Sequence, residues 1–396
     1  MEHTKYWVWL SSFPNMTPDK ITSLLEHFDT VEDIYNAGRE AYERVYAIHE
    51  SDIAALENKD LAAAEQIMER TELSGGRILC YDDADYPDSL RSLSSPPYVL
   101  YAKGIMMQWE RILGIGVVGT RRFSEYGKVA TERICHELAQ AGVTIISGMA
   151  RGIDSIAAVS ALRAGNKTIA VLGCGIDVVY PPENRKLMDA IIENGVVLSE
   201  YPPASQPVGQ HFPARNRIIS GLSRGVLATE APAKSGALIT ADHAMQSGRD
   251  VFAVPGSIFA GNCQGTNLLI QRGAKLVTSA RDILEEYPYE LSLLKQEDKP
   301  KPQRRVNPLP GERVVRHVPA APVNNIKKVT VEDEKYKGLN AEERQVIGLL
   351  IESNLHIDDL ARRSGLDMRK LNAMLPVLEM TGYIKKLPGN NYRLNI

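Results

Sequence analysis

The chain has 396 residues, a net charge of −3 and 44% hydrophobic residues, which fits two or three globular domains and excludes both a disordered chain and a uniformly basic nucleic-acid coat. Four widely spaced cysteines without a CxxC pair exclude a disulfide framework and a cysteine zinc site. No apolar run reaches membrane-spanning length, so a soluble cytoplasmic protein is expected.

Residues 1–80 read as helical, with a helix pair at 17–28 and 31–37 and a further helix at 51–70. Residues 81–110 read as an extended connector. From 111 onward short apolar runs alternate with amphipathic helices. The runs are 111–118, 143–147, 168–172, 196–200, 225–230, 251–254 and 275–278, and the clearest helices are 124–141, 153–164 and 183–194. Alternation of this kind predicts a parallel sheet covered on both faces, a Rossmann-like doubly wound domain over 81–290. Residues 291–337 read as a basic, proline-rich linker. Within it, 299–328 hold six prolines and eight basic residues against one acid, Glu312, a local excess of +7 that leaves −10 for the remainder. Residues 338–396 predict a winged helix: a capping box at Asn340-Ala-Glu-Glu343, helices through 352, at 357–364 and at 368–380, and a hairpin over 383–394.

Gly114-Ile-Gly-Val-Val-Gly119 matches a dinucleotide fingerprint, but its glycines fall inside a strand instead of after it, so a cofactor site is rejected. The informative loops follow the strands. They are Gly119-Thr-Arg121-Arg122, Ser147-Gly148-Met-Ala-Arg151-Gly152, Gly173-Cys-Gly175, Tyr180-Pro-Pro-Glu-Asn184 with Arg185, Lys234-Ser235-Gly236, and His211-Phe212-Pro-Ala-Arg215-Asn216-Arg217. Carboxyl ends of parallel strands are where such sheets bind ligands. Glycine amides and helix amino termini approach anions, arginines grip phosphate and an aromatic stacks on a base. No GxSxG, HExxH or P-loop lysine is present. His211 and His243 read as structural. Asp154, Asp177 and Glu230 read as strand-end caps, with a metal or acid–base role as the alternative. No catalytic residue, metal or cofactor is assigned.

The ordered series VGTRR, SGMARGID, VLGCGIDVVYPPEN, LSEYPP, HFPARNRIISGLS, EAPAKSGALITADHA, GRDVFAVPG and LIQRGAKLV resembles the DNA processing protein A (DprA/Smf) family nearly continuously over 110–280. The flanks resemble the family's amino-terminal SAM- or helix-hairpin-helix-like domain and its carboxy-terminal winged helix. The resemblance implies a non-enzymatic protein that binds single-stranded DNA, protects it during natural transformation and loads the recombinase RecA. By motif, Arg121, Arg151, Arg215, Asn216 and Arg217 would hold phosphates and Phe212 would stack near a base. It also implies a homodimer, for which 238–245 and 268–276 are the candidate faces. Relatives carry a basic residue in the turn where this chain has Pro182-Glu183; Arg185 is the candidate replacement. Residues 14–20 lack a glycine-rich hairpin, so the amino-terminal region is expected to pack or to meet a partner instead of binding DNA. Pro376 falls inside the expected recognition helix, where Arg369 and Lys370 are available. Two alternatives remain. One is a nucleotide phosphoribohydrolase on a related fold, although its PGGxGTxxE signature is absent. The other is a winged-helix transcriptional regulator.

Overall fold

A computed structural model describes residues 3–294, 339–352, 355–387 and 391–394. Of the linker expected over 291–337, residues 291–294 instead end the helix Pro288–Leu294, and 295–337 lie outside the described residues, as does the Pro388-Gly-Asn tip of the hairpin. Two compact units form, one over the amino-terminal part and the central sheet and one over the carboxy-terminal region.

The first unit is built on nine strands: β1 (Gly76–Cys80), β2 (Val99–Gly104), β3 (Gly114–Val118), β4 (Thr144–Ser147), β5 (Thr168–Leu172), β6 (Val196–Ser199), β7 (Gly225–Ala228), β8 (Asp250–Ala253) and β9 (Lys275–Leu276). Their order is β1-β2-β6-β5-β4-β3-β7-β8-β9. From β6 to β9 all pairs are parallel. The parallel part starts at β3, winds outward through β4, β5 and β6, then crosses back to β7 on the other side of β3. The topological switch point therefore lies between β3 and β7.

Burial explains the hydrophobic runs. Ile115 and Val117 of β3 face one apolar cluster with Ile134, Leu138 and Ile153 from the helices Glu125–Gln140 and Ile153–Arg163. Val118 faces the opposite cluster with Ala237, Ala241 and Ala244 of the helix Gly236–Gln246. Gly116 sits under the helix His211–Leu222, where a Cβ would lie 2.9 Å from Ser223 Oγ and 3.4 Å from Ile219 Cγ2. The fingerprint glycines thus admit a helix to the sheet.

Two departures from the sequence expectation concern the amino-terminal part. The helix expected at 51–70 is two helices, Glu50–Glu57 and Ala62–Leu73. Asn58 Oδ1 accepts from Asp60 N at 3.1 Å and Asp60 Oδ1 from Ala62 N at 2.9 Å, so side chains take over the amides that would continue the helix. The second departure is that the connector contains β2, which pairs antiparallel with β6 and carries β1 on its outer edge. A helix at Thr4–Ser12 buries Trp7 and Trp9, and Trp7 stacks on Tyr98 at 5.7 Å. These residues share one apolar cluster with Leu172 and Val197 of the sheet and Leu187 of the helix Arg185–Asn194.

The second unit has helices Ala341–Glu352, Ile357–Ser364 and Met368–Met380 and a three-stranded sheet of β10 (Leu355–His356), β11 (Ile384–Leu387) and β12 (Asn391–Leu394) in the order β10-β12-β11. Both capping-box bonds form: Asn340 N donates to Glu343 Oε2 and Glu343 N to Asn340 Oδ1, each at 2.8 Å. Pro376 lies inside its helix and Lys370 Nζ pairs with Glu342 at 2.7 Å.

Candidate nucleic-acid interface

The loops that follow β3, β4 and β7 meet at the switch point and brace one another. Ser124 caps the helix after β3, its Oγ accepting from Gly127 N at 3.1 Å. Glu230, at the end of β7, accepts from Ser124 N at 2.9 Å and Ser124 Oγ at 2.7 Å, and its own carbonyl accepts from Thr120 N at 2.7 Å. From β4, Ile153 N donates to Thr120 O at 3.2 Å. Gly152 adopts φ +84°, and a Cβ there would fall 2.4 Å from Thr120 O, so only glycine lets the two loops approach.

Above this frame lies a cleft of about 700 Å³. Of the charged residues that line it, Arg121, Arg122 and Lys234 are exposed, whereas Arg215 and the single acid, Asp154, are buried. Arg121 holds its guanidinium 5.7 Å above the centroid of Phe212. The Phe212 ring lies against Gly173, where a Cβ would come within 3.0 Å of it, and 5.4 Å from the Tyr180 ring. Gly173 therefore makes room for the aromatic wall. Phe212 is half-buried, with Asn216 one turn further along the same helix; Asn216 Nδ2 donates to Gly236 O at 3.3 Å. Ser235 caps the helix after β7, accepting from Ala237 N at 3.3 Å.

Several residues singled out in the sequence are engaged inside the protein. Arg215 is 4% exposed; its Nη1 donates to Gly148 O at 3.0 Å and its Nε has no hydrogen-bond partner among the described residues. The guanidinium lies where a Cβ on Gly148 would be, so the glycine serves side-chain packing as much as anion approach. Burial pulls the Arg215 pKa down and pushes that of Asp154 up, with the charge of each opposing the effect on the other. Both line the floor of the cleft as buried groups. Arg217 donates to Ser95 O at 2.7 Å and forks onto Glu200, with Nη1 2.8 Å from Oε2. Ser147 Oγ donates to Val117 O at 2.7 Å within the sheet. Asn184 Nδ2 donates to Met149 O at 2.8 Å and Ser155 Oγ at 2.9 Å, tying the turn after β5 to the loop after β4.

Arg151 is exposed but forks onto Glu183, with Nη2 3.1 Å from Oε2 and Nε on Oε1. That contact raises the Arg151 pKa and holds Glu183 below the usual carboxylate range. Arg185 is exposed on the next turn. Arg122 and Asn262 line the cleft without having been singled out in the sequence. The doubled arginine of VGTRR was a signal for the first. Asn262 had none, since a turn after β8 brings it in, with Nδ2 donating to Arg122 O at 2.9 Å.

His211 stacks on Tyr201 at 3.8 Å, its Nδ1 3.2 Å from Gly173 O. Asp177 accepts from Ala204 N at 2.7 Å and pairs with Arg70 at 3.1 Å. A grouping of metal-ligating types, His3, Cys80 and Asp83, lies at β1 on the far edge of the sheet. Its Asp83 is already bonded to His3 at 3.0 Å and to Cys80 N at 2.7 Å.

Comparison with known proteins agrees with this architecture. The model of the DNA recombination-mediator protein A family matches residues 77–288, and that of the DprA winged helix domain matches 332–390. Protein Smf of Synechocystis is 35% identical over 98% of both chains. The X-ray structure of DNA processing protein A from Streptococcus pneumoniae is 37% identical, with a TM-score of 0.63, covering 72% of this chain and 98% of its own. A structure of DNA processing protein A from Helicobacter pylori, described for its single-stranded DNA binding mode, is 32% identical, with a TM-score of 0.49, covering 56% of this chain and 98% of its own. With a Rossmann-like sheet and a winged helix in the matched positions, this chain belongs to the DNA recombination-mediator protein A (DprA/Smf) family.

Proposed function

We propose that the cleft at the carboxyl ends of β3, β4, β5 and β7 binds single-stranded DNA without transforming it. The observation that carries this is the exposed cation set Arg121, Arg122 and Lys234 lining one cleft with the half-buried Phe212, over whose ring Arg121 lies. Cations along a groove with an aromatic platform suffice for sequence-tolerant binding of a strand, and a stacked duplex would not offer its bases to Phe212. Arg151, Arg185 and Asn216 extend this contact set. Arg215, Gly148, Gly152 and Asn184 shape it, and Ser147, Gly173 and Ser235 fix its loops. Arg217 supports it from behind.

Within the cell the role we infer is that of a recombination mediator in the cytoplasm, protecting incoming strands and loading RecA on them during natural transformation. No helix among the described residues is long and apolar enough to cross a membrane. Self-association would use 238–245 and 268–276, where Ile239, Met245 and Leu276 are exposed.

The test is a salt titration of binding to single- and double-stranded DNA of matched length. Tighter single-strand binding is expected, with Arg121→Ala lowering the salt slope by about 0.7 and Phe212→Ala costing about 1–3 kcal/mol. Unchanged affinity and slope in both variants would sink the assignment. Robust hydrolysis of nucleoside monophosphates, lost in Glu230→Gln, would favour a phosphoribohydrolase instead.

A further inference from the structure

The turn between β8 and the helix Gln264–Gln271 presents two large apolar side chains to solvent: Ile258 is 76% and Phe259 92% exposed. The turn is nevertheless firmly held. Gly256 N and O both bond to the Asn267 side chain, at 3.1 and 3.0 Å. Phe259 N donates to Ser257 Oγ at 3.3 Å, Ala260 N to Ser257 O at 3.0 Å and Gly265 N to Ala231 O at 2.8 Å. A Cβ on Gly256 would fall 2.2 Å from Cys263 Sγ, so the two ends of the turn are pressed together. Two further bonds join it to the cleft wall: Asn262 Nδ2 to Arg122 O at 2.9 Å, and Tyr126 Oη to Pro255 O at 2.6 Å. Asn262 itself lines the cleft, and Phe123 and Tyr126, on the wall that carries Arg122, are also exposed.

An exposed aromatic ring held on an ordered turn is free to stack on a flat apolar face of a ligand. Here the neighbouring lip is cationic, which selects an anionic ligand that also has flat apolar faces. We propose that Phe259 is a stacking finger on which a base of the bound strand rests as the backbone passes Arg122, extending the cleft beyond Phe212 to a second platform. This rests on the single-strand reading given above.

The full chain, its Phe259→Ala, Phe259→Trp and Phe259→Leu variants and Arg121→Ala are titrated against a labelled oligothymidylate and against an abasic oligomer of equal length. Phe259→Ala is expected to weaken oligothymidylate binding about fivefold or more, the effect of losing one stacked base. The salt slope and the affinity for the abasic strand should stay unchanged. Phe259→Trp should restore binding and Phe259→Leu should not. If Phe259→Ala binds like the parent while Arg121→Ala is weak, the finger is refuted and the cleft stands. If both bind like the parent, the single-strand reading fails with it. If Phe259→Ala alters the oligomeric state measured by light scattering and binding falls only in step with that, the residue is a contact between copies and the proposal is overturned.

Discussion

Glu183→Gln should tighten single-strand binding, because the parent carboxylate occupies the guanidinium of Arg151, next in sequence to the cleft-lining Ala150. The fork between them is half exposed on both sides, so it adds little to folding stability, and the variant should unfold at the same temperature. What changes is one cation released for a phosphate. On a single strand each phosphate neutralised adds about 0.7 to the slope of log affinity against log salt. Referred to about 1 M salt, that is a gain of roughly fourfold at 0.15 M and roughly eightfold at 0.05 M. Fluorescence anisotropy across salt reads both quantities, and Glu183→Gln/Arg151→Ala should lose the gain. The pH dependence has a definite sign. The hydrogen bond from Arg151 holds the Glu183 pKa low, so the carboxylate competes throughout the neutral range. As pH falls through that lowered value Glu183 protonates, and parent and variant should converge. A variant no tighter than the parent at 0.05 M salt, or one whose gain survives Arg151→Ala, would refute the competition argument.

Arg217→Ala should destabilise the fold by about 3–5 kcal/mol, since it strands the largely buried Glu200 carboxylate; urea unfolding reads this, and a loss below about 1 kcal/mol would show the pair is dispensable. Gly152→Ala should lower stability by at least about 1–3 kcal/mol, through its positive φ and the clash with Thr120 O, while Gly209→Ala, with nothing within 4 Å, should be neutral. Equal melting temperatures for the two glycine variants would contradict the loop packing.

The periodicities that define the parallel core were legible because each strand from β3 to β8 is buried and short, and each helix carries its own stop. Ser124 and Asn340 cap where the sequence places them. What the sequence hid was antiparallel or internally engaged. β1 and β2 join the sheet through register with β6, which no local pattern encodes. The break at Asn58 depends on short side chains competing for helix amides, a choice settled by neighbours such as Trp9, whose Nε1 donates to Asn58 O at 2.9 Å. Among the arginines, spacing alone could not separate Arg215 from Arg217. They lie on one helix, two residues apart, and so point to different faces, one to the cleft floor and the other to Glu200.

The same placement explains how a chain with a net charge of −3 offers a cationic cleft. The acids at the strand ends are committed to the frame. Glu230 receives Ser124, Asp177 receives Ala204 N and Arg70, Glu200 receives Arg217, and Asp154 lies buried beside Ala150 N at 3.4 Å. Glu230, Asp177 and Glu200 are thereby spent on backbone amides, hydroxyls or guanidinium groups, and Asp154, which lines the cleft, is kept buried. Arg121, Arg122 and Lys234 are left facing solvent on a low-dielectric rim, where few charges suffice to focus the field. Glu183 is the exception, an exposed acid that takes one of the cations, Arg151, back. On the single-strand reading proposed above, grip would be set less by how many arginines the loops carry than by which of them the neighbouring carboxylates leave unclaimed.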